Sequence, residues 1–374
     1  MGVKKVLKDY MGILNLNEKE DNIRNLTRNR TVASIPVAGR YRVIDFVLSN
    51  MVNAGIQNIG VFTKSKSRSL MDHIGGGKPW DLDRKNGGLF VFNFGYGNPA
   101  LEDVEMFRNN IDYLQLSKEN NVILAPSYMI CNIDYEEVVK YHEQSGNDIT
   151  VIYKNANNCA ISFLDCDVLN IDENNRVTSV GKNVGVHDRN NICMEMFIMK
   201  KKILVELIYK CITTGICRKV KHAIYRNLDD YKVGAYEFKG YLTCINSIQA
   251  YYNFNIDCLD TNVSKELFFN NGLIYTKVKD EAPTKYVEGC KISNSLVANG
   301  CIIEGEVENS VISRRVKIKK GAKVKNCIIM QNCVIGAEAE LTNVIIDKNV
   351  TIGEHKKLRG DNEIPLVIEK VSVL

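Results

Sequence analysis

The sequence predicts an α/β domain on a mainly parallel, Rossmann-like sheet, followed by a left-handed parallel β-helix of hexapeptide repeats. Two periodicities carry that prediction. Over residues 11–250, short apolar runs alternate with longer helical patterns, the signature of strand and helix taking turns. From about 286, single aliphatic residues recur at steps of six, sometimes five, a rhythm that fits neither helix nor simple strand.

In chain order, Val43–Ala54 reads as a helix feeding the apolar run Ile59–Phe62, and Val122–Leu124 reads as a buried central strand. Tyr135–Gln144 reads as a helix before the run Ile149–Tyr153, and Met196–Met199 as a further strand. Residues 251–285 are expected to form a helix and a charged connector. In the last domain, 286–374, the repeating positions are Leu296, Ile302, Val307, Ile312, Ile318, Val324, Ile329, Ile335, Leu341, Ile346 and Ile352. A hexapeptide period implies a three-sided coil with one aliphatic side chain per face pointing into a shared core. Gly305, Gly321, Gly336, Asn309, Asn326 and Asn343 supply corner residues.

Composition excludes several classes. The 374 residues carry a net charge of +5, too weak a basic excess to argue for nucleic acid. No apolar stretch approaches the roughly 20 residues of a membrane span. The opening MGVKKVLKDY leads into no apolar leader core, and Val6 stands where a myristoylation motif needs Ser or Thr. A cytoplasmic protein is expected. The twelve cysteines are scattered without paired metal spacing and read as reduced, buried thiols. His73, His142, His187, His222 and His355 share no metal-ligand spacing, so no resident metal is expected.

Residues 24–56, RNLTRNRTVASIPVAGRYRVIDFVLSNMVNAGI, together with Trp80–Gly88 (WDLDRKNGG) and Met194–Met199, carry a more specific message. Their order and spacing resemble bacterial glucose-1-phosphate adenylyltransferases (ADP-glucose pyrophosphorylases), and the resemblance spans the chain from about Met11. It implies a nucleotidyltransferase-like first domain and a role in glycogen synthesis.

Against that pattern the chain departs at each catalytic position. Catalytic relatives carry a glycine-rich loop with an Arg, whose backbone amides and charge serve the nucleotide phosphates. The matching stretch here is Asn17-Glu18-Lys19-Glu20-Asp21-Asn22-Ile23, with no glycine and with Asn22 in place of the Arg. The resemblance implies two Mg²⁺-holding Asp residues. The first matches the Pro126-Ser127-Tyr128-Met129 stretch, leaving Ser127 and Tyr128 as degenerate positions, and Cys244 replaces the second. A thiol is a poor ligand for a hard cation. A Glu-Lys pair for the sugar phosphate becomes Gly181-Lys182, and Glu195 matches the glucose-contacting region.

Taken together, the resemblance is to the regulatory subunit that pairs with a catalytic homologue in mixed tetramers. It implies a chain holding no cofactor itself, Mg²⁺ belonging to the catalytic partner, with a hetero- or homotetramer as the assembly. Arg40 and Arg42 bracket Tyr41 and match a site for sugar-phosphate effectors; the pair equally suits a solvated or salt-bridged surface. Asp81, Asp83, Arg84 and Lys85 read as a substrate loop or as a structural turn before Asn86-Gly87-Gly88. An active nucleotidyltransferase with a rearranged phosphate loop stays open as the alternative. A hexapeptide acyltransferase would have only His355 as a base.

Overall fold

The computed structural model describes residues 7–64, 66–93 and 102–374. Residues 1–6, on which part of the leader and myristoylation expectations turns, lie outside them. Two compact units alternate along the chain. The first comprises Met1–Glu18, Phe46–Cys244 and Asn270–Tyr275; the second comprises Lys19–Asp45, Ile245–Phe269 and Thr276–Leu374.

In the first unit β1 (Tyr10–Leu16), β2 (Asn58–Thr63), β3 (Gly88–Asn93), β4 (Asn121–Ala125) and β5 (Ile149–Ala156) are followed by β6 (Asp167–Ile171). Then come β7 (Val177–Lys182), β8 (Asn190–Lys200) and β9 (Val233–Glu237). They form one sheet in the order β7-β6-β8-β4-β1-β2-β3, with β5 paired to β8 and β9. Parallel pairing joins β1 to β2 and β4, β2 to β3, and β5 to β9. Strand β8 is antiparallel to β4, β5 and β6.

All six residues of β2 are buried, as expected of a parallel strand covered on both faces. Gly60 has no room for a side chain, because a Cβ there would meet the Tyr113 ring at 2.6 Å. The core packs Met11, Ile13, Phe62, Val122, Leu124 and Phe197 beneath the helix Lys201–Thr214. The helical pattern at Tyr135–Gln144 becomes the helix Tyr135–Ser145. The Asp134 carboxylate accepts from the Glu136 N–H at its start, and Gly146 ends it at φ +58°, the two end devices that polar caps and glycine provide. Among the described residues no helix is long and apolar enough to cross a membrane.

In the second unit the repeats wind as the left-handed parallel β-helix that the hexapeptide period implies. Three five-stranded parallel sheets make its sides, and nine of the repeating positions, Val307 through Ile352, line one continuous core. The first two expected positions are off by one residue. Leu296 and Ile302 are half-buried, whereas Val297 pairs in register with Ile312 and Ile303 with Ile318. Both steps are aliphatic dipeptides, so period alone cannot choose the inward member.

The corners divide their work. Asn309, Asn326 and Asn343 adopt φ of +46°, +50° and +54°, and their amides stack, Asn309 Nδ2 donating to Asn326 Oδ1 at 2.8 Å and Asn326 Nδ2 to Asn343 Oδ1 at 3.0 Å. Gly305 serves close approach instead, since a Cβ there would lie 2.4 Å from the Ala322 carbonyl. Segment 19–45 is tied to the repeats by Arg30, whose guanidinium meets the Asp347 carboxylate at 2.6 Å with both side chains buried.

Asn326→Ala removes both ladder bonds and leaves a β-carbon in left-handed backbone. The expected cost is about 2 kcal/mol in urea unfolding, with Asn326→Gly losing less because its backbone accepts that conformation.

Candidate functional site

Asn17, Glu18, Ser127 and Tyr128 follow the carboxyl ends of β1 and β4 in the first unit, and Lys182, Glu195 and Cys244 lie in the same unit. Glu18 follows β1, and its carboxylate accepts from the Ser127 N–H at 2.9 Å and from the Ser127 hydroxyl at 2.7 Å. Asn17 Nδ2 donates to Glu102 at 2.8 Å, and the Lys219 ammonium lies 3.5 Å from the same carboxylate. Asn15 Nδ2 and the Val220 N–H donate to Asp103 at 2.8 and 2.9 Å. Burial nevertheless pushes the Asp103 carboxyl up to about 6. The strand end is therefore closed by polar side chains of the chain itself.

Next in sequence, the Tyr128 hydroxyl donates to Glu195 at 2.8 Å. Burial first, and the Glu195 charge second, raise that phenol well above its ordinary value. Glu195 has φ +54° and sits where the β8–β5 register shifts between Cys193 and Met196. A bulge of this kind turns a side chain away from the pleat, and the strained backbone holds the carboxylate at the site.

Glu195 is ion-paired with Lys221. The Lys221 ammonium also meets Asp167 at 2.9 Å, and Asp167 is ion-paired with Lys182. The Tyr225 hydroxyl donates to Asp167 at 3.1 Å. Burial alone would raise the Asp167 carboxyl, but Lys221 and then Lys182 override it and hold it below the carboxylate range. Burial likewise opposes charge on Lys221, and Glu195 and Asp167 more than restore it. Lys182 and Lys221 are thus both paired with carboxylates of the chain itself.

Cys244 lies on a two-residue strand, Thr243–Cys244, antiparallel to Met129–Ile130. Its thiol is buried, 3.5 Å from Cys166 Sγ, and burial pushes it well above the ordinary thiol value. A neutral thiol is a poor ligand for a hard cation such as magnesium, which prefers oxygen donors, and the Ser127 hydroxyl is engaged by Glu18. Among the described residues no three His, Cys, Asp or Glu side chains converge as a metal-binding set. Asn22 lies in the second unit, exposed, within the single 3-10 turn Asp21–Ile23. In the Asp81–Lys85 run, Arg84 pairs with Asp81.

A second cluster forms within the second unit. Pro36–Val37 and Tyr41–Arg42 make a small hairpin, and Tyr41 stacks on Phe268 at 4.9 Å beneath the Arg40 guanidinium. Three cations join it that the sequence reading missed. Burial and then Arg40 disfavour the charge on Arg314, while burial, Arg314 and Arg42 do so at Lys279. Lys348 is buried, and that burial, with Arg42 and Arg30 nearby, lowers its ammonium to about 7. Arg314, Lys279 and Lys348 thus lie within electrostatic reach of Arg40 and Arg42, with Glu281, Asp45 and Asp347 offsetting part of the repulsion.

Asp167, Lys221 and Cys166 were likewise missed. Lys221 lies in the basic run Arg218–His222, whose only sequence-level signal was charge.

Known proteins align with both units. Residues 21–160 match the family described as nucleotidyl transferase, and 282–364 match the GlmU-like C-terminal hexapeptide family. The glycogen biosynthesis protein GlgD of Bacillus subtilis (strain 168) is 36% identical over 363 residues, covering 96% of this chain and 95% of its own length. GlgD of Geobacillus stearothermophilus is 37% identical, with 83% and 82% covered. The glucose-1-phosphate adenylyltransferase of Mycoplasma mobile is 30% identical, with 84% of each chain covered.

Lys221→Met would leave buried Asp167 with Lys182 alone and Glu195 without its ammonium. We expect a stability loss of about 3 kcal/mol in urea unfolding. Much of it should return in the Asp167→Asn/Lys221→Met double variant, whose buried partner is uncharged.

Proposed function

The chain belongs to the glucose-1-phosphate adenylyltransferase family, among its GlgD glycogen biosynthesis proteins, and on that premise we propose that it is a regulatory subunit with little or no adenylyl transfer of its own. A role in glycogen biosynthesis goes with the membership. The reaction concerned, ATP and glucose 1-phosphate giving ADP-glucose and diphosphate, would be carried out by a catalytic homologue assembled with this chain in a mixed tetramer in the cytoplasm. Mg²⁺ would be held by that partner.

One observation supports this reading: the residues that the family resemblance matches to nucleotide, metal and sugar-phosphate positions are engaged by the chain's own side chains. Glu18, within the stretch that matches the phosphate loop, brings a carboxylate where a triphosphate would need donors, and it already accepts from the Ser127 N–H and hydroxyl. Cys244 offers a neutral thiol in place of a hard-cation ligand. Lys182 and Lys221 are paired with Asp167 and Glu195. Losing one positioned charge typically costs about 10²–10³ in rate, and several are missing together. The test is ADP-glucose formation by the purified chain, alone and mixed with a catalytic homologue. We expect no turnover alone and a changed rate or effector response in the mixture; robust turnover alone would favour an active enzyme with a rearranged phosphate loop.

The regulatory half of the reading rests on Arg40 and Arg42 as a sugar-phosphate effector site, extended by Lys279, Arg314 and Lys348. A bound anion would stabilise the Lys348 ammonium, whose value lies near 7 without it. Binding above that pH therefore takes up a proton, and affinity falls as pH rises. For sulfate, whose own charge is constant, calorimetry should show binding weakened about tenfold between pH 6 and 8.5. Lys348→Met should bind more weakly at pH 6 and lose most of the pH dependence.

A further inference from the structure

Cys166 and Cys244 are 78 residues apart in sequence, yet their sulfurs lie 3.5 Å apart. All twelve cysteines, every one among the described residues, are unbridged thiols. We propose that Cys166 and Cys244 form a reversible intramolecular disulfide, making the pair an oxidation site for low-molecular-weight disulfides. The inference goes beyond the regulatory reading and does not depend on it.

The geometry needs a modest change. Bridged sulfurs stand about 2 Å apart, so one must move by about 1.5 Å. Cys244 is anchored on its short strand against Met129. Cys166 ends the stretch 157–166, which contains only turns and bends. There Asn158, Phe163 and Asp165 have φ of +58°, +55° and +63°, and Ile161 is 80% exposed. Exposed Ile161 and Leu164 and the left-handed non-glycine residues make that stretch the side that opens, breaking the hydrogen bonds that Asn183 donates to the Cys159, Ser162 and Phe163 carbonyls.

The chemistry is two thiol–disulfide exchanges. Burial, then Cys166 and Glu195 beside it, keep Cys244 protonated, so the first attack belongs to Cys166 once its segment opens. Its thiolate forms a bond to one sulfur of oxidised glutathione and breaks the S–S bond, releasing one glutathione thiolate. Cys244, giving up its proton, then attacks Cys166 Sγ and expels the second. Two protein thiols are oxidised, one small disulfide is reduced, and two thiol molecules leave. Because Cys166 precedes Asp167, the bridge pins the start of the strand that carries Asp167 and its ion pairs with Lys182 and Lys221.

The experiment treats the reduced full-length chain with oxidised glutathione, alkylates remaining thiols under denaturing conditions, and maps peptides by mass spectrometry. The expected result is loss of two thiols per chain in one Cys166–Cys244 cross-linked peptide, reversed by dithiothreitol, with a rate that saturates with glutathione disulfide because opening limits it. Cys244→Ala should instead stop at a glutathione adduct on Cys166. The proposal is overturned if Cys166 and Cys244 stay alkylatable after prolonged oxidation, if the bridge joins Cys166 to neighbouring Cys159, or if only half-buried Cys217 and Cys290 react.

Discussion

The first unit is organised around a buried carboxylate that cannot be left alone. Asp167 sits almost without solvent, and an isolated charge in such a place would cost several kcal/mol. Lys221 and Lys182 offset that cost, and Lys221 in turn fixes Glu195 on its strained bulge. Glu195 orients Tyr128, and Tyr128 adjoins Ser127, which holds Glu18. One constraint thus propagates from β6 across β8 to the ends of β4 and β1.

This arrangement has a direct chemical consequence. A site that binds phosphates keeps donors and cations unsatisfied until the ligand arrives; here they are satisfied beforehand. On the proposed reading, a sugar phosphate at Lys182 would have to displace the Asp167 carboxylate that already pairs with it. The second unit shows the opposite economy. There, burial and neighbouring cations disfavour the charge on Arg314, Lys279 and Lys348, and Glu281, Asp45 and Asp347 restore only part of it. Charge is closed off in one unit and held in surplus in the other.

Much of this was legible in the sequence, and the parts that were not share a cause. Periodicity found the repeats because one aliphatic residue per face is a local requirement, and it slipped by one only where Leu296-Val297 and Ile302-Ile303 offered two candidates. The strand at Ile59–Phe62 and the helix at Tyr135–Gln144 announced themselves as an apolar run and a helical pattern. The pairing of Asp167 with Lys221, of Cys166 with Cys244, and of Lys348 with the Arg42 neighbourhood links residues far apart in sequence. No local pattern encodes such meetings. The same holds for segment 19–45, which packs with the repeat region through Arg30 and Asp347.

The central claim is that the nucleotide and metal positions are filled by the chain's own side chains. Its most direct test is equilibrium binding of magnesium ATP to the isolated chain, followed by calorimetry beside a catalytic homologue as positive control. The account requires no saturable, magnesium-dependent binding by this chain at concentrations that saturate the homologue. Saturable binding that needs Mg²⁺ would mean that Glu18, Ser127 and Cys244 rearrange to admit the ligand, and would contradict it.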